Sequence, residues 1–319
     1  VTLAEEQDLE ALEYELAAEA TVTGDFVSSL QVIVAALLAG SAAVAAGQIT
    51  AAVLADIAHR LIGGVRPAMR ARLFAATHQG YGLGRVQAFA LLGRRWRPIV
   101  SATLDPELRQ AVATVDSAAQ AVLDEADRLA DLLDLEEEAN VLTVASKVTS
   151  SGKGAEGTTR WAANRAINAG ISDVAAANGA RLLWASERNA CLKCLAYSGL
   201  TVRPGTDFPA GLSLGRVSTL GPVPYPPLHR YCRCRVRPYR GPAATPLGTD
   251  EASGLVREAN RTVARGWSDY ASKPERLAAL DKLLARGVAL PKSVLARAAA
   301  DRKREAFSQR HRPRTQLNA

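Results

Sequence analysis

Three short stretches decide the fold: Leu182-Leu183-Trp184-Ala185-Ser186, Cys191-Leu192-Lys193-Cys194 and His229-Arg230-Tyr231-Cys232-Arg233-Cys234. The first is a short apolar run of strand type, and it interrupts a chain that is otherwise rich in helix-forming alanine, leucine, glutamate and arginine. The other two hold all four cysteines of the chain. A Cys-x-x-Cys turn places two thiolates on one side of a knuckle, at the spacing a tetrahedral zinc ion needs. The second cluster offers His229, Cys232 and Cys234 as the remaining ligands. If the chain around Arg233 is a strand, Cys232 and Cys234 share a face but lie far apart along it. On that premise the expected set is Cys191, Cys194, His229 and Cys232, with Cys234 in reserve.

No open ligand position is indicated, so the ion expected is structural Zn2+. Its binding free energy would become folding free energy for a lobe of short strands and proline-rich loop that has little core of its own. Other readings of the cysteines stay open: disulfides, which a reducing cytoplasm disfavours, a thioredoxin-like redox pair without its long helix, or inert buried thiols.

Outward from this lobe the pattern is helical. Toward the N-terminus, Leu9, Leu12 and Leu16 fall on one face of an acidic helix. Gly24 and Asp25 are expected to break it, with Asp25 capping a second helix through the apolar run to Ala39. A third, bearing Val53, Ile57 and Leu61, is expected to end at Gly63 and Gly64, and Gly80, Gly82 and Gly84 read as loop. The clearest helix starts at Asp105-Pro106-Glu107 and carries Leu108, Val112, Val115, Ala119, Val122, Ala126, Leu129 and Leu133 at spacings of four and three. Ser150 to Gly157 reads as a flexible joint before a helix over 158–177. Beyond the lobe, Ser272-Lys273-Pro274-Glu275 is a capping box opening onto Leu277, Leu280 and Leu284, and Pro291 opens a basic helix.

The expectation is a mainly α chain with a small α+β lobe. It comprises a helical bundle-like domain over 1–150, a zinc-knuckle-like, metal-clamped lobe over 158–245, and a helical basic tail over 246–319. The net charge of +7 is unevenly spread. Residues 1–20 carry only acids, whereas Arg302, Lys303 and Arg304 lie in a basic tail. On the last strand of the lobe, alternation puts Arg233, Arg235 and Arg237 on one face. Both groups are candidates for gripping nucleic-acid phosphates.

Several activities lack their residues. Val32 to Ala46 falls short of the roughly 20 residues that span a bilayer, so it reads as a core helix and no stable membrane insertion is expected. The opening residues are acidic and do not follow a secretory-signal pattern. A zinc deaminase needs a His-x-Glu motif before its cysteines, and an HNH-type nuclease needs a second histidine beside the knuckle. Neither is present, and no Ser-His-Asp or Cys-His arrangement stands in a catalytic context. The chain reads as a non-enzyme without a small-molecule substrate.

The residues from Trp184 to Arg235 resemble the C-terminal signature of the phage Mu F-like head morphogenesis family. It reads here as Trp184-Ala-Ser-Glu-Arg-Asn-Ala-Cys191-Leu-Lys-Cys194, Ser198-Gly199, and Pro226-Pro227-Leu-His229-Arg-Tyr-Cys232-Arg-Cys234-Arg235. The most specific part is its closing Pro-Pro-x-His-x-x-Cys-Arg-Cys, and the likeness covers residues 180–240. It implies a low-copy minor capsid protein that associates with the portal, with other capsid proteins or with packaged double-stranded DNA, during head assembly and genome delivery. Such a protein is made in the cytoplasm of a host bacterium and resides in the virion, inside the head near the portal. The rival is a zinc-containing DNA-binding protein or nuclease. The metal itself is read from the residues and not from the resemblance.

Overall fold

A buried residue recurs every three or four positions through Ala11, Glu15, Ala18, Val22, Phe26, Leu30 and Ile33, all apolar but Glu15. That unbroken period belongs to one helix, α1 (Leu3–Ala45). In this computed structural model the residues described are 3–45, 51–101, 103–132, 138–187, 190–213, 221–240, 273–285, 295–296 and 298–304. The break expected at Gly24 and Asp25 does not occur. Thr23, Ser28 and Ser29 return their hydroxyls to the carbonyls of Glu19, Gly24 and Asp25, so the polar residues here are satisfied inside the helix. The leucine face is also turned outward: Leu9 is 58% and Leu16 43% exposed. At the N-terminal half of α1 the next helix comes very close, and a glycine there makes room for Tyr14. A Cβ on Gly80 would already meet the Tyr14 ring at 3.0 Å.

The second helix, α2 (Ala51–Leu91), runs straight through Gly63, Gly64, Pro67, Gly80, Gly82 and Gly84. A proline inside a helix costs about 3 kcal/mol and each glycine about 1. Burying Ile62, Met69, Leu73, Ala76 and Phe89 along one side offsets this, at roughly 1.5–3 kcal/mol for each large side chain. One of the glycines expected in a loop serves a helix crossing instead. A Cβ at Gly84 would collide with the carbonyl of Ile167, and one at Gly170 with the carbonyl of Tyr81.

The helix read most clearly from sequence is α3 (Leu104–Leu132). Leu108, Ala119 and Val122 are buried as expected; Leu133 lies outside the described residues. Asp105 sits in the first turn, while the Ser101 hydroxyl accepts from the Leu104 amide and so takes the cap role.

The joint expected at Ser150–Gly157 is the middle of α4 (Glu138–Ala177). Its glycines sit at contacts: a Cβ on Gly152 would press on Leu30 and one on Gly157 on the Tyr231 ring. In this unit α2 and α4 pack on each other and on both α1 and α3. Buried Asp173 of α4 fixes the α2–α3 connection. It accepts from Tyr81 (2.7 Å), Ser101 (3.3 Å), and the Thr103 hydroxyl (3.1 Å) and amide (3.4 Å).

The remaining described elements are β1 (Arg181–Ala185), α5 (Leu192–Leu195), β2 (Thr201–Val202), β3 (Arg235–Tyr239) and α6 (Lys273–Ala285). The strands form one antiparallel sheet in the order β2-β1-β3. Leu183 pairs with Thr201 on one side and Arg237 on the other. Contacts divide the chain into two compact units. The first is Val1–Ala177 with His229–Tyr231, and the second is Asn178–Leu228 with Cys232–Ala319. The protein is therefore mainly helical with a small three-stranded sheet. Of the expected tail, α6 begins at Lys273 with Pro274 and Glu275 in its first turn, and residues 298–304 are helical; Ser272, the expected cap, and Pro291 lie outside the described residues.

Candidate metal centre

Leu182, Leu183, Trp184 and Ala185 are all buried, so β1 is covered on both faces. The rings of Tyr197 and Phe208 stand 4.7 and 5.0 Å from that of Trp184. This aromatic trio packs with Leu182, Leu183, Leu192, Leu195 and Val236 in the lobe's apolar interior, beside the turn that follows β1. Cys191 occupies the N-cap of α5, and the Leu195 amide bonds back to its carbonyl at 2.9 Å. One helical turn thus brings Cys191 and Cys194 together. The Ser186 hydroxyl donates to the Cys194 carbonyl at 2.8 Å, tying the knuckle to the end of β1. Gly199, at φ +80°, then reverses the chain so that its amide reaches the Trp184 carbonyl and β2 can pair with β1.

Cys232 and Cys234 lie just before β3 and are not themselves in a strand. The premise of strand alternation therefore fails, and Cys234 is placed on the same footing as Cys232. The ligand atoms of Cys194, Cys232 and Cys234, all buried, lie within 4.8 Å of one another. Those of Cys191, Cys194 and His229 form a second such set, sharing Cys194 with the first. All five residues singled out from the sequence are thus in one or other trio, and the trios can hold a metal ion.

The chemistry of the donors bears on the kind of ion. The Cys194 and Cys232 sulfurs are 3.5 Å apart, and all four cysteines are free thiols. That spacing is far beyond an S–S bond of about 2.05 Å. It is close to the ~3.8 Å edge of a tetrahedron built on Zn–S bonds of about 2.3 Å. Hydrogen bonds shared with Cys191, Cys232 and Cys234, and then burial, push the Cys194 thiol well above the ordinary range. For Cys234 the contact with Cys194 pulls down, but Cys232 and burial prevail and raise it, while the Glu187 backbone works toward the thiolate. Thiols this crowded and dry cannot ionise together unless a cation joins them. Glu187, raised by burial against the pull of Arg233, is bonded to that guanidinium at 2.7 Å.

No family model, curated protein or solved structure matches this chain. Of the residues expected to grip phosphates, Arg235 needs correction on geometry. Arg235 is only 5% exposed, and its guanidinium donates to the carbonyls of Arg233 (3.1 Å) and Cys234 (3.4 Å). It braces the cysteine turn and faces no solvent. Arg233 is committed to Glu187, and Arg302 is paired with Asp281. Arg237 is half-buried, while Lys303 and Arg304 are exposed. Sequence reading missed the bracing by Arg235 and Glu187 and the Tyr197–Phe208 pair. The alternating arginines of 233–237 carried a signal for a basic face, but burial of the strand end was not visible in it.

Proposed function

We propose that this chain is a non-enzymatic minor head protein of a tailed phage whose C-terminal lobe is held by a structural zinc ion. The observation that carries the reading is a coincidence of two sets. The residues that bear the likeness to the Mu F-like signature, Cys191, Cys194, His229, Cys232 and Cys234, are those whose ligand atoms converge. A donor set of thiolates and one imidazole favours a soft or borderline ion of tetrahedral habit. When bound, zinc would supply charge neutralisation and cross-linking. The chain's residues do the rest: Arg235 and Ser186 fix the two turns, and the aromatic trio excludes water.

In this reading the lobe is a rigid module on the head interior, working through contacts with portal, capsid protein or packaged DNA. Quantitative mass spectrometry of purified particles and assembling heads tests it, with the expectation of a low, fixed copy number. Absence from both would defeat it. Divalent-ion-dependent cleavage of DNA by the purified protein would favour a nuclease instead.

A further inference from the structure

We propose that the exposed connection from Gly93 to Val100 is a nucleic-acid contact, with Arg94, Arg95 and Arg97 on phosphates and Trp96 offering its face to an unpaired base. From Ile57 to Leu104 the chain holds eight arginines and no acidic residue. Four of them are neutralised by other parts of their unit: Arg60 by Asp56, Arg66 and Arg70 by Asp116, and Arg72 by Asp25. The other four, Arg85, Arg94, Arg95 and Arg97, have no carboxylate partner among the described residues. They contrast with Arg233 and Arg302, which are already paired, and with Arg235, which is buried.

The segment is also held in place before any ligand arrives. Gly93, at φ +60°, ends α2 with its own amide on the Ala90 carbonyl (2.9 Å) and the Arg94 amide on that of Phe89 (3.0 Å). At the far end Ser101 and Thr103 are bonded to Asp173. Between them one Arg97 nitrogen reaches the Ala177 carbonyl (3.1 Å), and Arg85 reaches the Arg97 carbonyl (3.4 Å). Trp96 is 58% exposed and Val100 94%. The Arg85 guanidinium lies 5.7 Å from the centroids of both Trp96 and Tyr81, which steadies the indole. Unpaired arginines flanking a supported, exposed indole are the components of single-strand recognition without sequence readout: charge follows the backbone and the ring stacks on any base.

The inference concerns a site outside the cysteine lobe and stands apart from the head reading. A protein found in particles that fails the test below would sink this inference alone. Fluorescence anisotropy of the full chain with a 30-nucleotide single strand and the matching duplex, across a salt series, is the experiment. Arg94→Gln/Arg95→Gln should weaken binding at least tenfold. It should also flatten the slope of log K against log salt for the single strand by about 1.4, at roughly 0.7 per phosphate contact. Trp96→Ala should weaken the single strand about tenfold and leave the duplex within twofold. An unchanged Arg94→Gln/Arg95→Gln protein, or a loss that follows Lys303→Gln/Arg304→Gln instead, overturns the proposal. So does binding of phosphatidylglycerol vesicles through Arg94 and Arg95 with no binding of either nucleic acid.

Discussion

In the helical unit the interior is a ladder of large and small side chains, from Ala18, Phe26 and Leu30 on α1 to Ala162 and Ala163 on α4. The lobe's interior is smaller: three aromatic rings with Leu182, Leu183, Leu192, Leu195 and Val236, beside the buried thiols of Cys194, Cys232 and Cys234. A ladder spreads its stabilisation over many contacts, each worth about 1–3 kcal/mol, so loss of one rung weakens it without destroying it. The lobe has fewer rungs, and in the reading proposed above a single ion adds a restraint concentrated at one place. In the account proposed here, removing that restraint unfolds the lobe outright.

The largest effect should come from breaking that concentration. Cys194 belongs to both trios, so Cys194→Ser, or chelation of the wild-type protein, should abolish the near-ultraviolet circular dichroism of the Trp184 cluster. The helical signal should persist. Structural zinc contributes about 10–16 kcal/mol in small metal-dependent domains, more than this sheet can replace. Next, Phe26→Ala removes a fully buried ring from the ladder and should cost about 3–5 kcal/mol in urea denaturation. The lobe's aromatic spectrum should stay unchanged.

Gly84→Ala probes the α2–α4 crossing. Its methyl would meet the Ile167 carbonyl, which is backbone and cannot swing away, so a loss of about 1–3 kcal/mol is expected. Gly82→Ala, where a Cβ meets nothing within 4 Å, should be neutral or slightly stabilising.

Much of this contrast could be read from the chain, for unequal reasons. The α3 stripe was legible because Leu108, Ala119 and Val122 keep one period with no breaker among them. The length of α1 and α2 was not, because Gly24, Gly63, Gly64, Pro67, Gly80 and Gly84 carry strong local preferences against helix. Tertiary burial overrode them, and the signal was present: Val22–Phe26–Leu30 and Ile62–Met69–Leu73 keep their spacing across the glycines. At the candidate site the grouping of Cys191, Cys194, His229, Cys232 and Cys234 was legible from spacing alone. Placing Cys234 in reserve was wrong in its premise, since the strand starts only at Arg235. Nothing in the sequence says that Arg235 folds back onto the cysteine turn.

Two smaller effects sharpen the comparison by pH. Burial, with the Asp173 contact adding to it, holds Tyr81 at about 12, and burial holds Tyr14 at about 12. Both lie above the unfolded value near 10. Each contributes stability that is complete below pH 10 and lost as pH rises through about 12. Alkaline melting should therefore start in the helical unit, and Tyr81→Phe should flatten the dependence between pH 10 and 12. Asp116 is shifted the other way: the hydrogen bond from Arg70 lowers it despite some burial. Its contribution is present above pH 4 and lost as pH falls through the lowered value. The pair is partly exposed, so Asp116→Asn should cost no more than about 1 kcal/mol at neutral pH, and its Tm difference should vanish in acid.

The most direct measurement is native mass spectrometry of the full chain, purified without added metal or chelator, with elemental analysis of the same sample. The account predicts one zinc ion per chain, retained on dilution and absent from Cys194→Ser. A metal-free chain whose Trp184 spectrum is unmoved by chelator or by Cys194→Ser would contradict it.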